Sequence, residues 1–222
     1  MFGRTDVNPQ VFVSILLAFV ISITIHEFAH AYTATLLGDP TPREQGRVTL
    51  NPIAHLDPIG FLFLVFIALF GVGLGWGKPV QFNPYRMRWG KHGVALVAAA
   101  GPISNVILAL VLAVPQRVFT TGFHNLPANA QTFVTTLITL NLALAAFNLI
   151  PLPPLDGLKI LTGILPDFWY PILAPLDRYG FLILFLVIFF QPLRPVLFNI
   201  SAPVYETLTR LIQGASGVFG NF

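Results

Sequence analysis

A metal-binding pattern inside an apolar segment constrains this chain more than any other feature. Residues 11–37 contain His26, Glu27 and His30 and no other Asp, Glu, His, Lys or Arg. About 20 apolar residues cross a bilayer, and an ionisable side chain at the centre of such a helix costs at least ~2.5–3.5 kcal/mol. We therefore expect these three residues to be functional.

The three residues form the pattern H-E-x-x-H over residues 26–30. Side chains four residues apart lie on the same face of a helix, so both imidazoles could bind one Zn²⁺. Glu27 would then stand beside a metal-bound water as a general base. The alternative is a helix whose three polar side chains are satisfied by neighbouring helices.

The composition is that of an integral membrane protein. Apolar residues make up 55% of the 222 residues and charged residues 9%, whereas a soluble domain has about 25% charged residues. We expect one membrane domain over residues 1–222, with a retained first helix. The basic residues behind the net charge of +3 lie beside apolar segments, which favours membrane orientation over a nucleic-acid partner. The chain has no cysteine, so a metal must be bound by histidine and carboxylate.

Apolar runs separated by glycine and proline predict an all-α polytopic fold, with three transmembrane helices around the metal site. The catalytic core would occupy about 11–165 and the C-terminal helices about 166–213. Residues 61–74 are short for a span and predict a re-entrant segment, while 78–83 alternate around a proline and predict a short edge strand. The predicted helices are at about 11–37, 92–114, 132–150 and 179–198, with an interfacial helix at 203–213.

A catalytic zinc needs a third protein ligand besides the two histidines. Asp156 is favoured because it follows a proline-rich break at the end of an apolar helix, where irregular backbone must be buried or line a wet cavity. It can meet the histidine pair only if the helix before it runs parallel to the first helix. The candidates are Asp39, His55, Asp57, His92, His124, Asp156, Asp167 and Asp177.

Charge supports the re-entrant path for 61–74. With that path, segments 38–93 and 151–178 share one face and hold eight Lys and Arg residues, against four on the other face. If 61–74 crossed the membrane, the split would be five and seven. Because basic residues concentrate on the cytoplasmic side, the re-entrant path is favoured and the active site is expected towards the cytoplasm.

Three motifs together resemble the site-2 protease family of intramembrane zinc metalloproteases. The resemblance implies that His26, His30 and Asp156 bind one Zn²⁺, that Glu27 is the catalytic base and that Asn148 assists at the scissile carbonyl. It implies substrates that are transmembrane proteins or peptides, cleaved near the cytoplasmic membrane boundary. The motifs are His26-Glu27-Phe28-Ala29-His30, Gly101-Pro102-Ile103-Ser104-Asn105 and Asn148-Leu149-Ile150-Pro151-Leu152-Pro153-Pro154-Leu155-Asp156-Gly157.

Several alternatives stay open on sequence alone. Segments 51–60 and 75–80 look like a compact prokaryotic branch of that family, and no PDZ-like domain is inserted between the motifs. Asn105 is expected to serve helix packing, with contact to the metal site as the alternative. His55 and Asp57 are expected to make loop hydrogen bonds, with support of the metal ligands or gating as the alternative. The rival function is a membrane metal transporter or metal-binding scaffold, and a non-cleaving family member is a third.

Overall fold

The structure is a computed structural model that describes residues 8–70, 75–118, 126–190 and 193–219. These ranges contain helices and loops and no β-strand, which confirms the all-α prediction. The α-helices are α1 Pro9–Leu36, α2 Thr41–Glu44, α3 Pro58–Phe70, α4 Gly90–Val118, α5 Ala128–Asn148, α6 Asp156–Ile164, α7 Tyr170–Phe189 and α8 Arg194–Phe219.

Helices α1, α4, α5 and α7 are long and apolar enough to cross a membrane, and the chain is an integral membrane protein. Helix α3 has 13 residues, which at 1.5 Å per residue gives about 20 Å against a hydrocarbon thickness of about 30 Å. It packs Leu64 against Phe19 and Ile23 of α1. Its length agrees with a segment that enters the membrane without crossing it.

Helices α1 and α5 run parallel, as two contacts along them show. Ser22 of α1 accepts a hydrogen bond from Asn141 of α5, and His26, one turn further along α1, lies beside Asp156, which follows the end of α5. The second contact involves a later residue than the first on both sides, so the two helices run in the same direction. This is the relative direction that Asp156 needs in order to reach the histidine pair.

Helix α4 lies between α1 and α5 in sequence and runs antiparallel to α1. Asn105 of α4 bonds to the carbonyl of Ser22, while the earlier residue Val97 bonds to the later residue His30. Alanines line the packed surfaces of the three helices. Because small residues let the backbones approach closely, side-chain polar groups from all three helices meet at one depth. The fully buried alanines include Ala18, Ala31, Ala34, Ala109 and Ala145.

The residues just before α3 contact the residues that follow it, so the chain leaves and re-enters the rest of the fold at the same position. Leu56 forms an isolated antiparallel bridge with Gly77. A Cβ on Gly60 would lie 2.1 Å from the carbonyl oxygen of Trp76, so only glycine permits that approach. Residues 71–74, the last part of the segment in the sequence, lie outside the described residues. The described parts follow the re-entrant path rather than the alternative of a full crossing.

The predicted edge strand at 78–83 is wrong. The amides of Lys78, Val80 and Asn83 donate to a loop carbonyl and to two carboxylates, one in α1 and one just after it, at 2.7, 3.0 and 2.5 Å. Pro79 has no amide hydrogen to donate. With these donors committed to separate acceptors, the segment has no neighbouring strand in the described part of the chain, although its residues alternate as a strand would.

The predicted helix at 179–198 is also wrong in its bounds. Helix α7 begins at Tyr170 and ends at Phe189, and α8 begins at Arg194 and includes the predicted tail helix. Proline is favourable in the first turn of a helix. Pro171 occupies that turn of α7, so the helix can begin there, ahead of the apolar run on which the prediction was based.

Candidate metal centre

The three predicted ligands converge on one buried point. His26 Nε2 lies 3.0 Å from His30 Nε2, and each of these atoms lies 3.2 Å from Asp156 Oδ2. The three residues are exposed by only 3%, 6% and 8%. Ligand bonds of about 2.0–2.1 Å in a tetrahedral zinc site place the ligand atoms roughly 3.3–3.4 Å apart. The observed triangle therefore matches a zinc site to within a few tenths of an ångström.

The protonation pattern of the two rings also fits a metal. His26 Nδ1 lies 2.7 Å from Asn105 Oδ1, and His30 Nδ1 lies 2.7 Å from the carbonyl oxygen of Val97. Both partners are acceptors, so both Nδ1 atoms carry the hydrogen and both Nε2 atoms present a lone pair in the neutral rings. Asp156 Oδ2 is buried without a hydrogen-bond donor. The lone pairs of the two Nε2 atoms and of Oδ2 therefore face one another and repel unless a cation lies between them. Zn²⁺ suits this donor set.

Gly101 of α4 leaves the space in which the two rings meet. A Cβ at this position would lie 2.4 Å from His30 Nε2 and 2.6 Å from His26 Cε1, far inside van der Waals contact. The residue was expected to allow close helix packing, and it does so directly against the two imidazoles. Any larger side chain would displace a ligand ring.

Asp156 reaches the centre because the chain turns sharply between α5 and α6. Gly157 makes this turn possible, since a Cβ there would lie 2.4 Å from the carbonyl oxygens of Leu149 and Ile150. The turn is fixed from the other side by α7. Ile150 and Leu155 are buried in one apolar cluster with two residues of that helix.

Glu27 lies next to the ligands and is tied to the irregular segment that follows α3. Its Oε2 accepts a hydrogen bond from the Val80 amide at 3.0 Å and lies 3.7 Å from Arg47 Nη2. Among the described residues, none is hydrogen-bonded to Oε1. Sequence reasoning missed this role of Arg47, because a basic residue after an apolar helix was interpreted only as an orientation signal.

Arg47 is buried, and its guanidinium also donates to the carbonyl of Lys78. Burial lowers the pKa of Arg47, while the nearby charge of Glu27 acts in the opposite direction. A guanidinium stays charged in proteins. Arg47 therefore places a positive charge beside Glu27 and holds the backbone of the neighbouring segment.

Asn148, the predicted catalytic amide, is half-buried at the end of α5 and does not bond to the three ligands. Its Nδ2 donates to the carbonyl of Leu144 at 2.9 Å, which commits one of its two N–H groups. Its catalytic role stays a prediction. Asn105, in contrast, bonds directly to His26, so the alternative of contact with the metal site is correct for this residue.

The other candidate ligands lie away from the centre or serve the loops. His55 Nε2 donates to the carbonyl of Thr49 at 2.7 Å, and burial lowers the pKa of His55. Asp57 accepts the Gly60 amide at 2.8 Å and so caps α3. These are the loop hydrogen bonds expected from the sequence. His124 lies outside the described residues, and within them only the cluster of two histidines and Asp156 has the dimensions of a metal site.

Comparisons with known proteins agree with this chemistry. The sequence profile of Peptidase family M50 matches residues 117–190. “Putative zinc metalloprotease YwhC” of Bacillus subtilis is 40% identical over 185 residues, which cover 81% of each chain. “Putative zinc metalloprotease Rip2” of Mycobacterium tuberculosis is 34% identical over 184 residues, 82% of this chain and 68% of the relative. “Zinc metalloprotease MJ0392” of Methanocaldococcus jannaschii is 29% identical over 166 residues, 74% of this chain and 38% of the relative. No solved structure gives a significant match.

Proposed function

The chain belongs to peptidase family M50, the site-2 zinc metalloproteases, and we propose that it hydrolyses peptide bonds of membrane-spanning substrates near the cytoplasmic membrane boundary. One observation carries the proposal: a buried His₂-carboxylate cluster, with an acidic side chain next to it, has both its histidines within α1, a helix long and apolar enough to cross a membrane. A helix of this length and hydropathy would place the histidines within the bilayer, so membrane-spanning segments are the substrates that we propose.

Within this proposal His26, His30 and Asp156 hold one Zn²⁺, which supplies Lewis acidity towards water and the scissile carbonyl. Glu27 takes the proton from the attacking water and passes it to the leaving amine. We assign Oε1 as the acceptor, since it accepts no hydrogen bond within the described residues, whereas Oε2 already accepts from the Val80 amide. Asn148 offers its remaining N–H to the developing oxyanion, a contribution that can be worth ~2.7–4 kcal/mol.

The depth and orientation of the site follow from α1 and the charges at its end. His26 precedes the last residue of α1, Leu36, by ten positions, which corresponds to about 15 Å along the axis. The chain between the end of α1 and the first turn of α4 holds six of the twelve Lys and Arg residues, which supports a cytoplasmic location. The six are Arg43, Arg47, Lys78, Arg86, Arg88 and Lys91.

The irregular segment beside Glu27 supplies a place for an unwound substrate. A helical substrate hides its peptide bonds, so it must be extended before cleavage. The amides of Gln81 and Phe82 have no hydrogen-bond partner within the described residues, and Gln81 is exposed. An extended peptide could pair with this backbone next to the base, in the manner of strand addition.

Comparative proteomics of membrane-protein fragments tests the function. Cells would carry the wild-type chain, Glu27→Gln or, as a matched control, Glu44→Gln, whose side chain is exposed at the end of α2. Fragments cut within transmembrane segments should appear with the wild type and the control and be absent with Glu27→Gln. Equal cleavage in all three would contradict the proposal. Metal uptake into sealed vesicles that is unaffected by Glu27→Gln would favour the transporter.

A further inference from the structure

Three polar side chains behind the metal centre form a closed hydrogen-bond network. Ser22 of α1, Asn105 of α4 and Asn141 of α5 are each 0% exposed. Polar side chains in membrane helices bond across helices in this way. Here each donor and acceptor in the network is determined by its neighbours, so the orientation of both amide groups can be derived.

The orientation of Asn141 is fixed by two groups that can only accept from it. Its Nδ2 lies 2.7 Å from the carbonyl oxygen of Leu137, which has no hydrogen to donate. Its second N–H points to Ser22 Oγ at 2.8 Å, and that hydroxyl already donates to the carbonyl of Ala18 at 2.7 Å. Asn141 must therefore present its oxygen, Oδ1, towards Asn105.

Asn105 is oriented in turn by Asn141. Its Nδ2 donates to Asn141 Oδ1 at 2.7 Å and to the carbonyl oxygen of Ser22 at 3.2 Å. Both N–H groups are thus used, and Oδ1 is left to accept the hydrogen of His26 Nδ1 at 2.7 Å. Because Nδ1 carries the hydrogen, Nε2 of His26 keeps its lone pair towards Asp156.

We propose that Asn141 is a positioning residue that sets the imidazole tautomer of His26 through Asn105, and with it the metal affinity of the centre. Without the oxygen of Asn141, only the longer bond to the Ser22 carbonyl, at 3.2 Å, holds the amide of Asn105, and the amide can turn over and present N–H groups to Nδ1. His26 would then keep its hydrogen on Nε2, where it blocks metal binding. His30 needs no such relay, since its Nδ1 bonds to the carbonyl of Val97 directly.

The inference rests on the assignment of His26 as a metal ligand under the proposed function, and zinc affinity of the purified full chain tests both. The affinity is measured by competition with a chelator, independently of proteolysis. Asn141→Leu should weaken zinc binding by about 10–100-fold, the usual effect of losing a partner of a ligand histidine. Thr136→Val, a matched polar-to-apolar change five residues earlier on α5, should stay within about twofold of wild type.

A rescue variant separates orientation from packing. In the Asn141→Leu background, Asn105→Asp places a carboxylate behind His26, and a carboxylate accepts with either oxygen. Zinc affinity should then return to within about fivefold of wild type. If Asn141 contributed only packing, the aspartate at position 105 would not restore zinc affinity.

The outcomes are distinct. Unchanged zinc affinity in Asn141→Leu, or no recovery in the double variant, overturns the relay. If Asn141→Leu does not fold, the ¹⁵N shifts of the histidines in the metal-free wild type decide instead, with hydrogen on Nδ1 of His26 expected and hydrogen on Nε2 contradicting the proposal. His26→Ala tests the underlying assignment: zinc retained there refutes the ligand role, whereas zinc lost there with Asn141→Leu unaffected refutes the relay alone.

Discussion

Gly101→Ala should abolish zinc binding without unfolding the protein. The added Cβ would lie 2.4 Å from His30 Nε2 and 2.6 Å from His26 Cε1. Since ordinary contact begins near 3.4 Å, at least one imidazole must move by roughly 1 Å, whereas a metal site tolerates deviations of about 0.2 Å. We expect zinc affinity to fall by more than about 100-fold, beyond the effect of losing a hydrogen-bond partner of a ligand. The overpacking itself should cost about 1–3 kcal/mol of stability.

Two further glycine variants separate the loss of metal from general overpacking. Gly163→Ala places a Cβ 2.4 Å from the Cβ of Ala95, so it strains the contact between α6 and α4 away from the metal ligands. Gly214→Ala meets nothing within 4 Å. Bound zinc per chain, measured by metal analysis after dialysis, should be lost in Gly101→Ala and kept in the other two. Zinc retained in Gly101→Ala, with affinity within about threefold of wild type, would refute the assigned geometry.

The remaining predictions concern the other site residues and the topology. Asp156→Ala should lose most of the bound zinc, because the two histidines alone leave the site one ligand short; metal analysis checks this. Glu27→Gln should keep zinc and lose cleavage, and Asn148→Ala should lower kcat more than it raises KM, as expected of a group that acts in the transition state. Arg47→Met should keep zinc and lower kcat by about tenfold to hundredfold, since displacing a catalytic group by ~1 Å has effects of that order. A membrane-impermeant thiol reagent should label single cysteines from the cytoplasmic side at 45, 85 and 160, and label at 85 from the opposite side would contradict the re-entrant path.

The proximity of His26, His30 and Asp156 was predictable because each part of the argument was local or topological. The spacing of His26 and His30 places both rings on one face of any helix. The choice of Asp156 needed the proline-rich break, which can be seen in the sequence, and the direction of the helix before it, for which the distribution of Lys and Arg favoured the re-entrant path of 61–74. The structure brings these three residues together at 3.0–3.2 Å, as that reasoning required.

The support of Glu27 could not be predicted, because it depends on groups far apart in the sequence. Alternation around Pro79 indicated a strand, yet the amide of Val80 donates to Glu27, 53 positions earlier. Arg47 gave the sequence only a positive charge in a loop. The sequence does not say whether the Arg47 side chain faces lipid headgroups or lies beside Glu27. Its position depends on where the chain around α3 places the backbone of Lys78, to which it donates.

Asn141 was the least predictable residue of the site. An asparagine within an apolar helix indicates a hydrogen bond to another helix, but both α1 and α4 were available as partners, and each could have offered a donor or an acceptor. The direction of the network is decided by atoms that no side-chain pattern encodes, the backbone carbonyl oxygens of Leu137 and Ser22. Since these atoms only accept, the first orients the amide of Asn141 and the second, together with Asn141, orients the amide of Asn105. The state of His26 therefore depends on backbone carbonyls of α5 and of α1 itself.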